Sequence, residues 1–297
     1  MQVGVAGLGK MGAEIAARLI ELGHQVTVWN RSAEKTKPLA AAGAKVVNSP
    51  AEVAKASEAV ITILADAKAI DDVYSGANGL LSADVKGKLF IEMSTELPSV
   101  KVALNEKVRA KGGALVDCPV GGSTTPARQG KLLGLVGGDP ADVARARPIL
   151  EQLCGQRLEE CGGVGGGSAV KLAINLPLMV AWQAYGEAFA IIRDLGWEPK
   201  KLLDLFVNTN GANNAMKMRA PMMVTMFEGG QPGPTTFSIS NAVKDIRIML
   251  EAGKAKGAEM PVVRAALAAF EEANAKGLGN SDGAALSVYW ADRNRKK

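Results

Sequence analysis

The chain has 297 residues, 47% of them hydrophobic and 22% charged, with a net charge of +5. That suits a globular protein with room for two domains and a sizeable core, and so modest a charge, part of it in the tail Arg293, Arg295, Lys296 and Lys297, argues against nucleic acid as a partner. Three cysteines without a CxxC pair (Cys118, Cys154, Cys161) argue for a reducing compartment and against a structural zinc, and a lone histidine, His24, argues against Ser-His-Asp hydrolysis, histidine-based dehydrogenation and a multi-histidine metal site.

The first β-rich run is Val3–Ala6. Gly7-Leu8-Gly9-Lys10-Met11-Gly12 follows it and opens a helical run, Met11–Leu22. A GxGxxG between strand and helix is the dinucleotide motif. Its glycines permit a tight turn and close approach to a pyrophosphate, which sits on the helix N-terminus. The apolar start is broken by Lys10 and lacks a basic lead-in, so no secretory leader is expected. His24 falls in the turn before the next strand, where a surface position is expected. That strand, Gln25–Trp29, is followed by Asn30-Arg31-Ser32 and not by the acid that reads an NAD ribose. Arg31 suits a 2′-phosphate and can lie against adenine, while Ser32 and Lys35 can add contacts. The expected cofactor is therefore NADP(H), with Asn30, Arg31, Ser32 and Lys35 at its adenosine end.

Further along come a helical run, Ser32–Ala42, and strands Lys45–Val47, Ala59–Leu64 and Leu89–Glu92. Helix Pro98–Lys111, strand Ala114–Asp117, strand Leu132–Val136, helix Pro140–Leu153 and strand Gln156–Glu160 complete the first half. Alternation of strand and helix predicts an α/β Rossmann domain over 1–164, a doubly wound, mostly parallel sheet. After Gly167 the pattern is helical: Ser168–Leu195, Pro199–Asn208, Asn214–Phe227, Ser240–Lys256, Pro261–Lys276 and Ser281–Asn294. The breakers are Gly196, Gly211, the run 229–234, Gly257 and 277–279. An all-α domain over 165–297, joined by a long interdomain helix from about 168 to 195, is expected. Pro177 should kink that helix. The longest apolar run, Leu172–Trp182, is interrupted by Asn175 and Pro177 and is too short for a bilayer. A cytoplasmic protein with no membrane partner is expected.

A nicotinamide enzyme needs a group that exchanges a proton with the substrate oxygen while hydride moves. Histidine is nearly absent, and none of Tyr74, Tyr185 and Tyr289 has a lysine four residues later. Lysine is left as the leading option. Gly162 to Asn175 reads GGVGGGSAVKLAIN, which puts Lys171 and Asn175 on one helix face among apolar neighbours. A lysine partly desolvated near a cleft can have its pKa lowered toward the working range. From the pair alone, a snorkelling lysine and a surface asparagine remain an equal alternative. This loop lacks the GKS/T ending of a P-loop, so its glycines read as a crossing between domains.

Four motifs in order resemble the β-hydroxyacid dehydrogenase family, which includes 3-hydroxyisobutyrate dehydrogenases, tartronate semialdehyde reductases and glyoxylate/succinic semialdehyde reductases. Gly7 to Gly12 is similar to its GLGxMG cofactor loop, and Asp117-Cys118-Pro119-Val120-Gly121-Gly122 to its DAPVSGG substrate loop. Gly165-x-Gly167-xxx-Lys171-xxx-Asn175 is similar to its catalytic GxGxxxKxxxN, and Lys244-Asp245 to its late KD pair. Glu92-Met93-Ser94-Thr95 also resembles the DxST segment beside the nicotinamide. The resemblance implies that Lys171 is the general acid in reduction and the base in oxidation, with Asn175 binding substrate beside it. It places Thr95, Lys244, Leu64 and Ala65 against the cofactor, and Gly121, Gly122, Ser123 and Thr124 at the substrate. It implies a Rossmann domain joined by a long helix to an all-helical domain, with a homodimer through that domain, or a tetramer. The substrate would be a small aldehyde, keto acid or 3-hydroxy acid.

The family's serine falls at Gly121, while Ser123, Thr124 and Thr125 follow. A substrate carboxylate is held either by these hydroxyls or in another way. Ala65 replaces a proline common after the fourth strand. Two alternatives stay open: an imine reductase on the same scaffold, against which Lys171 argues, and a catalytically silent NADP-binding protein. Asn210, Asn213, Asn214, Lys217 and Arg219 read either as substrate contacts or as a solvated loop. Met216, Met218, Met222, Met223 and Met226 read as core or interface packing.

Overall fold

The computed structural model describes residues 1–293 other than Pro234 and Thr236. Arg295, Lys296 and Lys297 of the basic tail, the expected helix end at Asn294, and Pro234 of the 229–234 breaker lie outside the described residues. The chain divides into two compact units, Met1–Leu172 and Ala173–Lys297.

The first unit is built on a six-stranded parallel sheet in the order β3-β2-β1-β4-β5-β6. Its strands are β1 Gln2–Ala6, β2 Gln25–Trp29, β3 Lys45–Val46, β4 Ala59–Thr62, β5 Leu89–Glu92 and β6 Ala114–Asp117. Side chains alternate between its two faces with the period of two that a strand imposes. Val3, Val5, Ala59, Ile61, Leu89, Ile91, Ala114 and Val116 enter one apolar cluster. Ala6, Val60, Phe90 and Leu115 enter the other. Helices α1 (Lys10–Glu21) and α7 (Pro140–Cys154) supply Ile15, Leu19, Ile149 and Leu150 to the first cluster. Helices α3 (Pro50–Ala56), α4 (Ala67–Ser75) and α5 (Pro98–Ala110) supply Val53, Ile70, Val73, Leu104 and Val108 to the second. A parallel sheet covered on both faces accounts for strands that read as nearly continuous apolar runs.

Several expected elements shift. The run Ser32–Ala42 is a short 3-10 turn, Ala33–Thr36, followed by α2, Lys37–Ala41. Pro38 sits in the first turn of α2, where its missing N–H costs nothing. The strands expected at 132–136 and 156–160 do not join the main sheet. As β8 (Leu133–Val136) and β9 (Leu158–Glu160) they form a separate three-stranded sheet with β7 (Val120–Gly121). In it β7 is antiparallel to β8 and β8 is parallel to β9. β7 and the helices α3 and α6 (Thr124–Gln129) are too brief for periodicity to reveal, and α4 is an element beyond those expected. His24 is half-buried at the expected turn, with Nε2 2.7 Å from Gln152 Oε1.

Helix α8 runs from Gly166 to Ile192 without interruption by Pro177, and a 3-10 turn continues it to Leu195. The second unit is otherwise α9 (Pro199–Val207), α10 (Asn214–Phe227), α11 (Ile239–Ala255), α12 (Pro261–Ala273) and α13 (Ala285–Asp292). Aromatic rings join three of its helices: Phe189 packs edge-on to Phe206 at 4.8 Å and to Phe227 at 5.9 Å between centroids. Of the methionine-rich run, Met216 and Met223 are core residues, whereas Met218 is 70% exposed. Among the described residues no helix is long and apolar enough to cross a membrane.

Candidate active site

The loop after β1 shows three different uses of glycine. Gly7 has φ +101°, and a Cβ there would lie 2.4 Å from the Ile63 carbonyl oxygen. A Cβ on Gly12 would lie 2.0 Å from the Gly7 carbonyl oxygen, so this helix turn must pack bare against the loop. At Gly9 nothing lies within 4 Å of the added atom. Protein packing thus explains Gly7 and Gly12 and leaves Gly9 unexplained. An open place at the N-terminus of α1 is what a pyrophosphate requires. The loop fits a dinucleotide.

Asn30, where an NAD-reading acid would stand, is engaged in holding that loop. Its Oδ1 accepts the Leu8 N–H at 2.8 Å and its Nδ2 donates to the Ser32 carbonyl at 3.0 Å. Arg31, Ser32 and Lys35 are exposed beside it. Lys10 begins α1, Met11 is half-buried against the core, and Leu8 is buried. Leu64 is half-buried after β4 and its N–H donates to Ser94 Oγ at 2.7 Å; Ala65 is exposed and Thr95 half-buried.

Gly121 lies in β7, paired with Leu133 of β8. Gly122 is exposed with φ +129°, a backbone only glycine takes readily, and half-buried Ser123 and Thr124 begin α6. The start of α8 is pinned by Asp117 at the end of β6. Its Oδ1 accepts the Gly165 N–H at 2.7 Å and its Oδ2 the Ser168 N–H at 2.8 Å. Burial raises the Asp117 carboxyl above the ordinary carboxylate range, against the opposing pull of these two N–H groups and of Lys101. Gly167 packs so tightly that a Cβ would lie 2.1 Å from the Leu135 carbonyl oxygen. Lys171 therefore stands one turn into a helix whose first turn is fixed by hydrogen bonds and contact. Its residue is only 8% exposed. Asn175, half-buried, is four residues on along the same continuous helix.

Lys244 lies in the second unit on α11, its Nζ 2.9 Å from Asp245 Oδ1. Asn213 caps α10, Oδ1 to the Met216 N–H at 2.8 Å, and Arg219 Nε is 3.2 Å from buried Asp282 Oδ1. Both side chains hold the helical unit together. Spacing gives no sign of the role of Asp117: it stands inside the segment Asp117 to Gly122, but its contacts with Gly165 and Ser168 join residues far apart in the chain.

Residues 2–176 match the family described as the NAD binding domain of 6-phosphogluconate dehydrogenase. Residues 165–290 match the NAD-binding family of NADP-dependent 3-hydroxyisobutyrate dehydrogenase. The chain is 35% identical to glyoxylate/succinic semialdehyde reductase 1 of Arabidopsis thaliana over 96% of its own length and 97% of the relative's. It is 31% identical to a probable mitochondrial 3-hydroxyisobutyrate dehydrogenase of Dictyostelium discoideum, over 94% and 88% of the two. The solved 3-hydroxyisobutyrate dehydrogenase of Mycobacterium tuberculosis with L-serine superimposes with a TM-score of 0.83 at 28% identity, covering 96% of this chain and 97% of that one. Fold, glycine loop and relatives together define an NAD(P)-dependent oxidoreductase of hydroxy acids. The chain belongs to the β-hydroxyacid dehydrogenase family.

Proposed function

We propose that the protein is an NADP(H)-dependent reductase of small aldehyde or keto acids, running in reverse as a 3-hydroxyacid dehydrogenase, with Lys171 as its general acid and base. The observation that carries this reading is Lys171 itself, a lysine only 8% exposed on the helix that follows the glycine crossing. The name of the Arabidopsis relative supports a semialdehyde or glyoxylate as substrate. Arg31, exposed where NAD-selective sites carry an acid nearby, supports NADP(H).

The loop Gly7 to Gly12, with Asn30, Arg31, Ser32, Lys35, Leu64, Ala65, Thr95 and Lys244, would hold the cofactor, which supplies or accepts the hydride when bound. Lys171 Nζ delivers a proton to the carbonyl oxygen during reduction and removes it from the hydroxyl during oxidation. Asn175 orients that oxygen. The backbone N–H groups of Gly122 and Ser123, with the hydroxyls of Ser123 and Thr124, receive the substrate carboxylate, since a glycine turn leaves N–H groups accessible to an anion. Three free thiols support a reducing compartment. The family resemblance supports a homodimer through the second unit.

The test is Lys171→Ala assayed with glyoxylate, succinic semialdehyde and a cyclic imine. Turnover of the aldehyde acids should fall by about 10²–10⁴-fold while NADPH binding stays close to wild type. Near-wild-type turnover in that variant rules the mechanism out, and faster turnover of the imine by wild type rules out the substrate class.

A further inference from the structure

Strands β5 and β6 end side by side on two carboxylates. Glu92 and Asp117 are register partners in this parallel pair, and both are fully buried. Two adjacent carboxylates withdrawn from water each disfavour ionisation of the other. One cation answers both. Lys101 on α5, itself fully buried, forms an ion pair with Glu92, and its charge also acts on Asp117. Its Nζ donates to the Ser94 carbonyl at 2.9 Å.

Packing alone does not call for such a triad, because apolar side chains of similar volume fill a core without the desolvation cost. What the two carboxylates hold is backbone. Glu92 Oε1 accepts the Ser94 N–H at 3.1 Å and also the Ser94 hydroxyl. Ser94 Oγ in turn accepts the Leu64 N–H, which ties the exits of β4 and β5 together. Asp117 accepts the two N–H groups that open α8. Each bond needs an acceptor oxygen, and at Glu92, whose Oε1 holds Ser94 while its other oxygen meets Lys101, protonation would put a donor where an acceptor is needed.

We propose that Lys101 is a positioning residue for the reaction: its buried ammonium, paired with Glu92 in the register position beside Asp117, lets the two carboxylates stay where they hold the segment carrying Thr95 and the helix turn carrying Lys171. The proposal rests on the reading of Thr95 and Lys171 as site residues. Lys101 touches neither substrate nor cofactor and acts through the two carboxylates.

The experiment compares Lys101→Met with the double variant Lys101→Met/Glu92→Gln in the full-length protein. Three quantities are read: the rate of NADPH oxidation in a single turnover, the KM for succinic semialdehyde, and the Kd for NADPH. Lys101→Met leaves an uncompensated buried charge. It should lower the single-turnover rate about 10-fold or more with little change in the Kd for NADPH, the pattern of misplaced reacting groups. Glu92→Gln removes that charge and keeps an acceptor for Ser94, so the double variant should recover to within a few-fold of wild type. A wild-type rate in Lys101→Met overturns the proposal, as does a folded double variant no faster than the single one. If Lys101→Met does not fold, the double variant decides alone, and its own failure to fold or to turn over also overturns the proposal. Lys171→Ala should not be rescued by Glu92→Gln. An active Lys171→Ala removes the reading of Lys171, whereas the Lys101 variants still report on Glu92, Ser94 and Thr95.

Discussion

Each glycine of the cofactor loop has its own physical reason, so single alanines at two of them should behave differently. Gly12→Ala pushes a Cβ to 2.0 Å from a backbone oxygen that cannot step aside. It should lower the melting temperature of the apoprotein, by an overpacking cost of about 1–3 kcal/mol. Gly9→Ala meets nothing within 4 Å and should leave that melting temperature unchanged while raising the Kd for NADPH severalfold. Thermal melts with and without NADPH check both, and equal destabilisation of the apoprotein by the two variants would remove the argument that Gly9 serves the ligand. The cysteines make a second comparison. Burial pushes Cys154 up to about 12 and Cys118 well above its ordinary value, whereas Cys161 is half-buried and raised less. A thiol reagent at pH near 8 should therefore modify Cys161 alone in the native protein and all three after denaturation. Mass spectrometry of the labelled peptides decides this, and rapid native labelling of Cys118 would contradict it.

At the scale of elements, α8 depends on one side chain from a strand. Asp117→Ala leaves the Gly165 and Ser168 N–H groups without their acceptors and should cost about 2–4 kcal/mol, read by chemical denaturation. Asp117→Asn separates the charge from the hydrogen bonds. Because burial raises the folded-state pKa of Asp117 above the ordinary 3.8, its contribution to stability is complete below that value. The contribution is lost as pH rises through the folded-state pKa. The asparagine does not titrate, so the stability gap between wild type and Asp117→Asn should narrow or reverse as pH rises above about 4. A gap independent of pH would show that Asp117 is no more perturbed than a surface carboxylate. The same region marks how far the sequence could be read. Strands β2, β5 and β6 and helix α10 were legible to the residue, because apolar period and breakers are local. The GxGxxG loop and the Lys171–Asn175 spacing were legible for the same reason. The sheet membership of β8 and β9 was not, since a partner strand is chosen by tertiary packing. Nor was the triad: Glu92 and Lys101 are nine positions apart, but a strand end, a loop and a helix separate them, and no single period spans all three.

For the molecule as a whole, cofactor choice should appear as stability. A ligand that binds only the folded state adds RT ln(1 + [L]/Kd), about 2.7 kcal/mol at one hundred times Kd. At equal concentrations of NADPH and NADH, the difference between the two shifts measures the ratio of affinities and needs no substrate. Arg31 is exposed beside the loop, and Asn30 is occupied in bonding Leu8 and Ser32, so no carboxylate stands at that position to bind the 2′-hydroxyl of NADH. A charge-assisted bond from Arg31 to the 2′-phosphate is worth about 1.5–3 kcal/mol, or roughly 10- to 100-fold in Kd. Wild type should therefore melt higher with NADPH than with NADH. Arg31→Ala should lose most of that difference by weakening NADPH binding alone, with the NADH shift and the ligand-free melting temperature unchanged. If wild type is stabilised equally by both, or if Arg31→Ala weakens both alike, then Arg31 contacts a part common to the two dinucleotides, and the selectivity assigned to it is wrong.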